Sequence, residues 1–206
     1  MKSNKLPSVA AESRSAAAKI LKVNRKKAAE KVAPTKNASE KITPKKIVPK
    51  NLGDYLDVMT KAVFQAGVSW ASVENKWDDF RQAFAQFDPA IVAKYKKKDI
   101  ARLLGTPNLI RSERKIVGTI ANAQTILELD AAHGSFLNYL RAFNSYDELS
   151  IDIQNRFNFV GEMSVYYFLF RVSERVPPFE RWVKTIKGEH PRMREMIEHA
   201  ADNSNH

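Results

Sequence analysis

Beyond Asn51 the apolar residues fall at intervals of three and four, the period of helices that bury one face. Leu52, Leu56, Met59 and Val63 form one stripe, and Trp70, Val73, Trp77, Phe80 and Phe84 form a second that predicts one continuous helix. Asp88-Pro89 places a cap before a proline at the first helical position, opening a short helix that runs into the basic stretch Lys94 to Lys98. Asp99 is the expected cap of a helix over Ile100 to Leu104, which Gly105 and Pro107 stop. Ser112 opens a long helix carrying Ile116, Ile120, Ala123, Ile126 and Leu129, closed by Gly134. Ser135 caps Phe136 to Phe143; Asp147 to Phe157 and Met163 to Val172 follow, and Pro191 opens a last helix through Ala201. No segment alternates with period two and no repeat of fixed length recurs, so the fold class is all-α.

Charge divides the chain at residue 50. Residues 1–50 carry 14 of the 34 Lys and Arg and three of the 23 acids (Glu12, Glu30, Glu40), so residues 51–206 hold 20 of each and are neutral. The same fifty residues contain no Phe, Tyr or Trp and are rich in Lys, Ala, Ser and Pro, too little apolar surface to offset the entropy of ordering. They are expected to form a disordered basic arm, with Ala16 to Val32 able to become helical on a partner, ahead of a helical domain over 51–206. A basic arm without aromatics suits sequence-independent phosphate binding; a solubilising tail and a targeting segment are the other uses open to it. Lys and Arg interrupt every short apolar run of the arm, which excludes the h-region of a secretory signal, and no run in the chain is long enough to span a membrane. The absence of cysteine excludes disulfides, thiolate metal sites and a cysteine nucleophile.

Two segments carry candidate chemistry. Asp147–Phe157, the turn Asn158-Phe159-Val160-Gly161 and Met163–Val172 have the form of a helix–hairpin–helix unit. In such a unit the backbone N–H groups at the start of the second helix bind a DNA phosphate without reading sequence. Phe159, Val160 and Gly161 are therefore the candidate backbone-binding residues, and Glu162 sits where its charge disfavours phosphate and suits the helix macrodipole. The run Lys94-Tyr95-Lys96-Lys97-Lys98 and the set Arg111, Arg114 and Lys115 are either a phosphate-facing surface or ordinary solvated faces.

The stretch FQAGVSWASVENKWDDFRQAFAQFDPAIVAKYKKKDIARLLGTPNLIRSERKIVGTIANA, from Phe64 to Ala123, resembles the signature region of the DNA-3-methyladenine glycosylase I family, and FNFVGEMSVYYF, from Phe157 to Phe168, extends the likeness. That family consists of helical repair enzymes that excise alkylated adenine from DNA. The resemblance implies a helix–hairpin–helix glycosylase fold, with Gly67 and Val68 in the turn that wedges into the duplex and Trp70 as the aromatic that stacks on the extruded base. A base leaves its stack only when an apolar group fills the gap and an aromatic face receives it. Read from periodicity alone, Trp70 is the first core aromatic of its helix. Asn122, within Ala-Asn-Ala, matches a family asparagine and is expected to serve helix packing.

The resemblance also exposes departures. The family's catalytic glutamate, eight residues before the tryptophan, falls on Ala62. Its Tyr-His and Glu-Trp-Gly pocket segment has no counterpart in the basic arm. Its zinc site uses two Cys and two His, whereas this chain has no Cys and four dispersed His, so no metal and no cofactor are expected. Two acids are candidates to replace the glutamate. Glu180 lies nineteen residues after the hairpin Gly161, near where related glycosylases place an aspartate, and is otherwise a surface residue beside Arg181 and Lys184. Glu162 is the other.

The expected function is a DNA-binding base-excision-repair protein that, if active, hydrolyses the N-glycosidic bond of alkylated purines. The alternatives are a catalytically inactive DNA-binding or lesion-sensing protein on the same fold, and a protein–protein adaptor whose arm takes acidic partners. Double-stranded DNA, damaged or not, is the expected partner, with a monomeric protein in the cytoplasm, associated with the nucleoid, and no membrane.

Overall fold

A computed structural model describes residues 45–186. The segment Ala16–Val32, able to become helical on a partner, and the helix expected over Pro191–Ala201 lie outside the described residues, as does most of the basic arm. Ten α-helices and two short 3-10 turns make up the described part, with no strand among them. The helices are α1 Leu52–Gln65, α2 Trp70–Glu74, α3 Trp77–Ala83, α4 Pro89–Val92, α5 Lys97–Gly105, α6 Glu113–His133, α7 Phe136–Leu140, α8 Tyr146–Arg156, α9 Glu162–Arg171 and α10 Phe179–Trp182. The all-α expectation holds. None of these helices is long and apolar enough to cross a membrane.

α6 is the central strut, packing against α1, α4, α5 and α7, while α9 packs on α1 and α8. The first stripe behaves as its spacing predicts: Leu56, Met59 and Val63 are buried and Leu52 half-buried. The second stripe is not one helix. It breaks at Asn75-Lys76, where α2 ends and α3 restarts without a side-chain cap. Val73, before the break, still joins the main core with the aromatics that follow it. Trp77, Phe80 and Phe84 join Phe87 in a ladder of near-parallel rings whose centroids are 5.0–6.0 Å apart. Trp70, on the other side of the break, packs into a separate cluster. Aromatic burial of this size anchors a domain. Asp57 ties the ladder back to α1, accepting from the Trp77 indole N–H at 2.8 Å and the Arg81 Nε at 2.7 Å.

The caps follow the sequence with three adjustments. Asp88 accepts from Ala90 N at 2.8 Å, Ser135 from Asn138 N at 3.0 Å, and Gly134 closes α6 in the left-handed region at φ 74. Asp99 is not a cap residue but lies in the first turn of α5, its carboxylate accepting from Lys96 N at 2.9 Å. Ser112 occupies the cap position of α6 without a side-chain bond, and α7 ends at Leu140, with Arg141 at its C-cap pairing with Glu174 at 2.9 and 3.1 Å. Residues 45–50, read from composition as the end of the arm, run extended beside the C-terminus of α9. Ile47 donates to the Arg171 carbonyl at 2.7 Å, and its own carbonyl accepts from the Ser173 hydroxyl at 2.8 Å.

Candidate nucleic-acid interface

The turn between α1 and α2 is built from Ala66, Gly67, Val68 and Ser69. α1 ends with no basic residue in its last turn, so its final carbonyls need donors from elsewhere. Lys115, in the first turn of α6, supplies them: its Nζ donates to the carbonyls of Ala66 at 2.7 Å and Phe64 at 3.4 Å and lies 5.7 Å from the Phe64 ring centre. Lys115, expected among the residues on the DNA backbone, is half-buried and engaged as a tie on the wedge turn. Gly67 takes φ +78 with open space around it, a conformation that favours glycine. Ala66 and Gly67 form the exposed tip; Val68 is half-buried and packs back against the main core. Ser69 caps α2 through its hydroxyl, which accepts from Ser72 N at 3.1 Å.

The hairpin is fastened to the same long helix. Asn122 is fully buried, and both ends of its amide are spent on the turn: its Oδ1 accepts from Asn158 N at 2.7 Å and its Nδ2 donates to the Asn158 carbonyl at 3.1 Å. Phe159 adopts φ +59, a strained position for a bulky residue, and its ring rests on Gly118, where an added Cβ would come within 2.6 Å. The Arg114 guanidinium covers that ring at 5.5 Å. Val160 is buried, while Gly161 is exposed at the N-cap of α9, where no side chain bonds to the helix start. That leaves the start of a ten-residue helix without a side-chain cap, the feature that binds phosphate in a helix–hairpin–helix unit. Glu162 is exposed at the same end, and Arg111 is exposed near the start of α6. Lys94, Lys96, Lys97 and Lys98 are exposed around the turn into α5; Tyr95 between them is half-buried.

The position of the family acid lies beneath an aromatic cluster. Ala62 is fully buried together with Trp70, Met163, Tyr166, Tyr167, Phe179 and Trp182. Trp70, a stacking aromatic by resemblance and a core aromatic by periodicity, is only 6 % exposed and meets Tyr167 edge-on at 5.0 Å. The Trp182 ring stacks on Tyr166 at 3.9 Å, so the segment after Pro178 contributes two rings to the cluster. The indole N–H of Trp70 has no acceptor among the described residues. Burial pushes the Tyr167 hydroxyl up, and that hydroxyl accepts from Arg171 Nη1 at 2.8 Å.

Neither candidate acid enters this cluster. Glu162 and Glu180 are both exposed; burial first, and the Glu180 charge second, push the Tyr166 hydroxyl up to about 12. The carboxylate that approaches the region from the wedge side is Glu74, one helical turn after Trp70. It binds the buried Lys61 at 2.9 and 3.2 Å. Desolvation lowers the Lys61 pKa against the opposing pull of Glu74, and the ammonium also sits 4.9 Å from the Trp77 ring centre. Sequence reading passes over this pair because its partners are thirteen residues apart on two helices, a spacing that no local rule flags. The one available signal is a lysine interrupting the apolar run of α1 directly before Ala62.

Comparison with known proteins agrees with this geometry. Residues 54–160 match the sequence model of the methyladenine glycosylase family. DNA-3-methyladenine glycosylase 1 of Escherichia coli (strain K12) is 30 % identical over 126 residues, covering 51 % of this chain and 67 % of that protein. The DNA-3-methyladenine glycosylase of Haemophilus influenzae Rd is 32 % identical over 89 residues, or 43 % of this chain, which spans about half (48 %) of that relative. A Staphylococcus aureus 3-methyladenine DNA glycosylase I, solved for the structural basis of 3-methyladenine recognition, shares the fold at a TM-score of 0.56 and 24 % identity over 61 % of this chain and 78 % of its own. Another 3-methyladenine DNA glycosylase I superposes at a TM-score of 0.54 with 26 % identity over 61 % and 81 % of the two chains. With the family match spanning α1 through the hairpin, this chain belongs to the methyladenine glycosylase family.

Proposed function

We propose that this chain is a DNA-binding protein of base-excision repair that engages duplex DNA through its hairpin and wedge turn and reads it without acid-assisted excision. One observation carries the reading. The two elements suited to DNA are built and exposed, while the family's acid position is a buried alanine under aromatic rings. Alanine neither accepts a hydrogen bond from a base nor stabilises positive charge at the sugar, and the exposed Glu162 and Glu180 lie outside the cluster.

The test is made with the full chain, measuring affinity for a duplex with and without a tetrahydrofuran abasic-site analogue and, separately, free base released from methylated DNA. Salt-dependent binding with tighter hold on the abasic duplex and no released base is expected. Lack of salt-dependent duplex binding would remove the reading.

Excision of alkylated purines is the second reading, favoured by Trp70 standing at the family's stacking position with a buried N–H that lacks an acceptor among the described residues. A cationic alkylpurine such as 3-methyladenine is already an activated leaving group, so stacking and desolvation supply rate without an acid. Release of 3-methyladenine by the unmodified chain would establish it in place of the first.

The arm supplies affinity that is blind to sequence and damage. Removing residues 1–44, which stops short of the Ile47 contacts with Arg171 and Ser173, should leave the helical signal and melting temperature nearly unchanged. The plot of log affinity against log salt should flatten by several units, at about 0.9 for each phosphate that the arm neutralises. An equal slope with and without the arm would show that it does not touch DNA.

A further inference from the structure

The wedge turn and the hairpin lie far apart in sequence, yet both are tied to one stripe of α6. Lys115 holds the carbonyls of Ala66 and Phe64, Gly118 seats the Phe159 ring, and Asn122 clamps the backbone of Asn158 from both sides. At about 100° per residue these three positions fall within about 60° of one another, with Lys115 and Asn122 about 10 Å apart along the axis. That distance is the rise of about three base pairs of duplex.

Two features are difficult to account for by packing alone. Asn122 is a fully buried amide whose hydrogen bonds to the described residues all go to the hairpin backbone. Phe159 keeps a left-handed backbone, a strain that persists only where the surroundings over-determine it, here by the Gly118 seat and the Arg114 guanidinium.

We infer that Lys115, Gly118 and Asn122 are positioning residues that make one face of α6 a gauge, fixing the wedge turn relative to the hairpin so that both engage a single duplex together. The inference rests on the DNA-binding reading above. Its physical content is pre-organisation: two contacts held rigidly in register add their binding energies without a fresh ordering cost, whereas a loosened contact adds little. The wedge contributes only where a base is missing or displaced, and the hairpin contributes on any duplex. Releasing the wedge therefore removes lesion preference, and releasing the hairpin removes affinity in general.

The experiment compares the full-length chain and its variants on plain duplex and on the same duplex carrying a tetrahydrofuran abasic-site analogue. The readout is the ratio of the two affinities. Lys115→Met is expected to lower that ratio about tenfold, and Lys115→Arg, which still donates to both carbonyls, to restore most of it. Arg111→Met removes an exposed charge nearby and is expected to weaken both complexes alike, separating the tie from the removal of charge. Asn122→Ala is expected to weaken both complexes together; should it fail to fold, the Lys115 pair still decides. Unmodified protein that binds duplex with a ratio near one, or a ratio that survives Lys115→Met, overturns the gauge and leaves the DNA-binding reading standing. Unmodified protein that binds neither duplex overturns both.

Discussion

Trp70→Ala is expected to lower the folding free energy by about 3–5 kcal/mol, the range for truncating a core aromatic. The ring is 6 % exposed, edge-on to Tyr167 at 5.0 Å, and shares a cluster with Ala62, Met163, Tyr166, Phe179 and Trp182. Trp70→Phe should cost only about 1–2 kcal/mol, since it keeps an aromatic ring in the gap. The indole N–H that this removes donates to nothing among the described residues, so no hydrogen bond goes with it. Thermal or urea unfolding of the three proteins checks this, with a drop of about 10 °C or more expected for the alanine variant. A Trp70→Ala protein that melts with the unmodified chain would mean that the ring stands free in solution and that the cluster is open. The outcome bears on function, because a ring packed edge-on against Tyr167 in a closed cluster receives a base only after its neighbours shift.

The two roles open to Trp70 in the sequence show where periodicity stops being informative. Its spacing to Val73 and Trp77 correctly marks an inward-facing residue, and every member of that stripe is buried. The pattern shows neither that the helix breaks at Asn75-Lys76 nor that Trp70 packs into a different cluster from Val73 and Trp77. The four-residue spacing from Val73 to Trp77 survives the break, and neither Asn75 nor Lys76 is a strong helix breaker. The hairpin is legible because it is local: two amphipathic segments joined by a short glycine-bearing turn define it without reference to the rest of the chain. Its fastening is not. Asn122 reads as a helix residue of modest propensity, and only the fold brings Asn158 to it. Lys115 misleads for the same reason. A lysine in the first turn of a helix looks like a surface charge until the carbonyls at the end of α1 arrive beside it. The alanine at the position that the resemblance gives to the family acid is visible in sequence, whereas the rings from Tyr166 to Trp182 that cluster with it are not, because a long-range aromatic cluster has no period.

Ala62→Glu restores the family residue and tests whether the cluster is sealed. Ala62 is fully buried among aromatic side chains, so a carboxylate there is cut off from water. Several kcal/mol of destabilisation at neutral pH is expected. Desolvation disfavours the charged form, which raises the folded-state pKa of the new glutamate above its unfolded value of about 4.3. The folded state then holds its proton more tightly than the unfolded state does. The variant should therefore stand closest to the unmodified protein below about pH 4. It should fall behind as pH rises through the raised pKa, and the gap should level off above it. Melting temperatures of both proteins across this range, taken as a difference at each pH, give the sign directly. A neutral carboxyl cannot stabilise a sugar cation, so the single variant should release little 3-methyladenine from methylated DNA at neutral pH. Adding Trp182→Ala removes from the cluster the ring stacked on Tyr166 and admits water, and the double variant should ionise and release base measurably. Robust release by Ala62→Glu alone, with an unchanged melting temperature, would show that the pocket is open in solution, and that the missing acid alone separates this chain from excision.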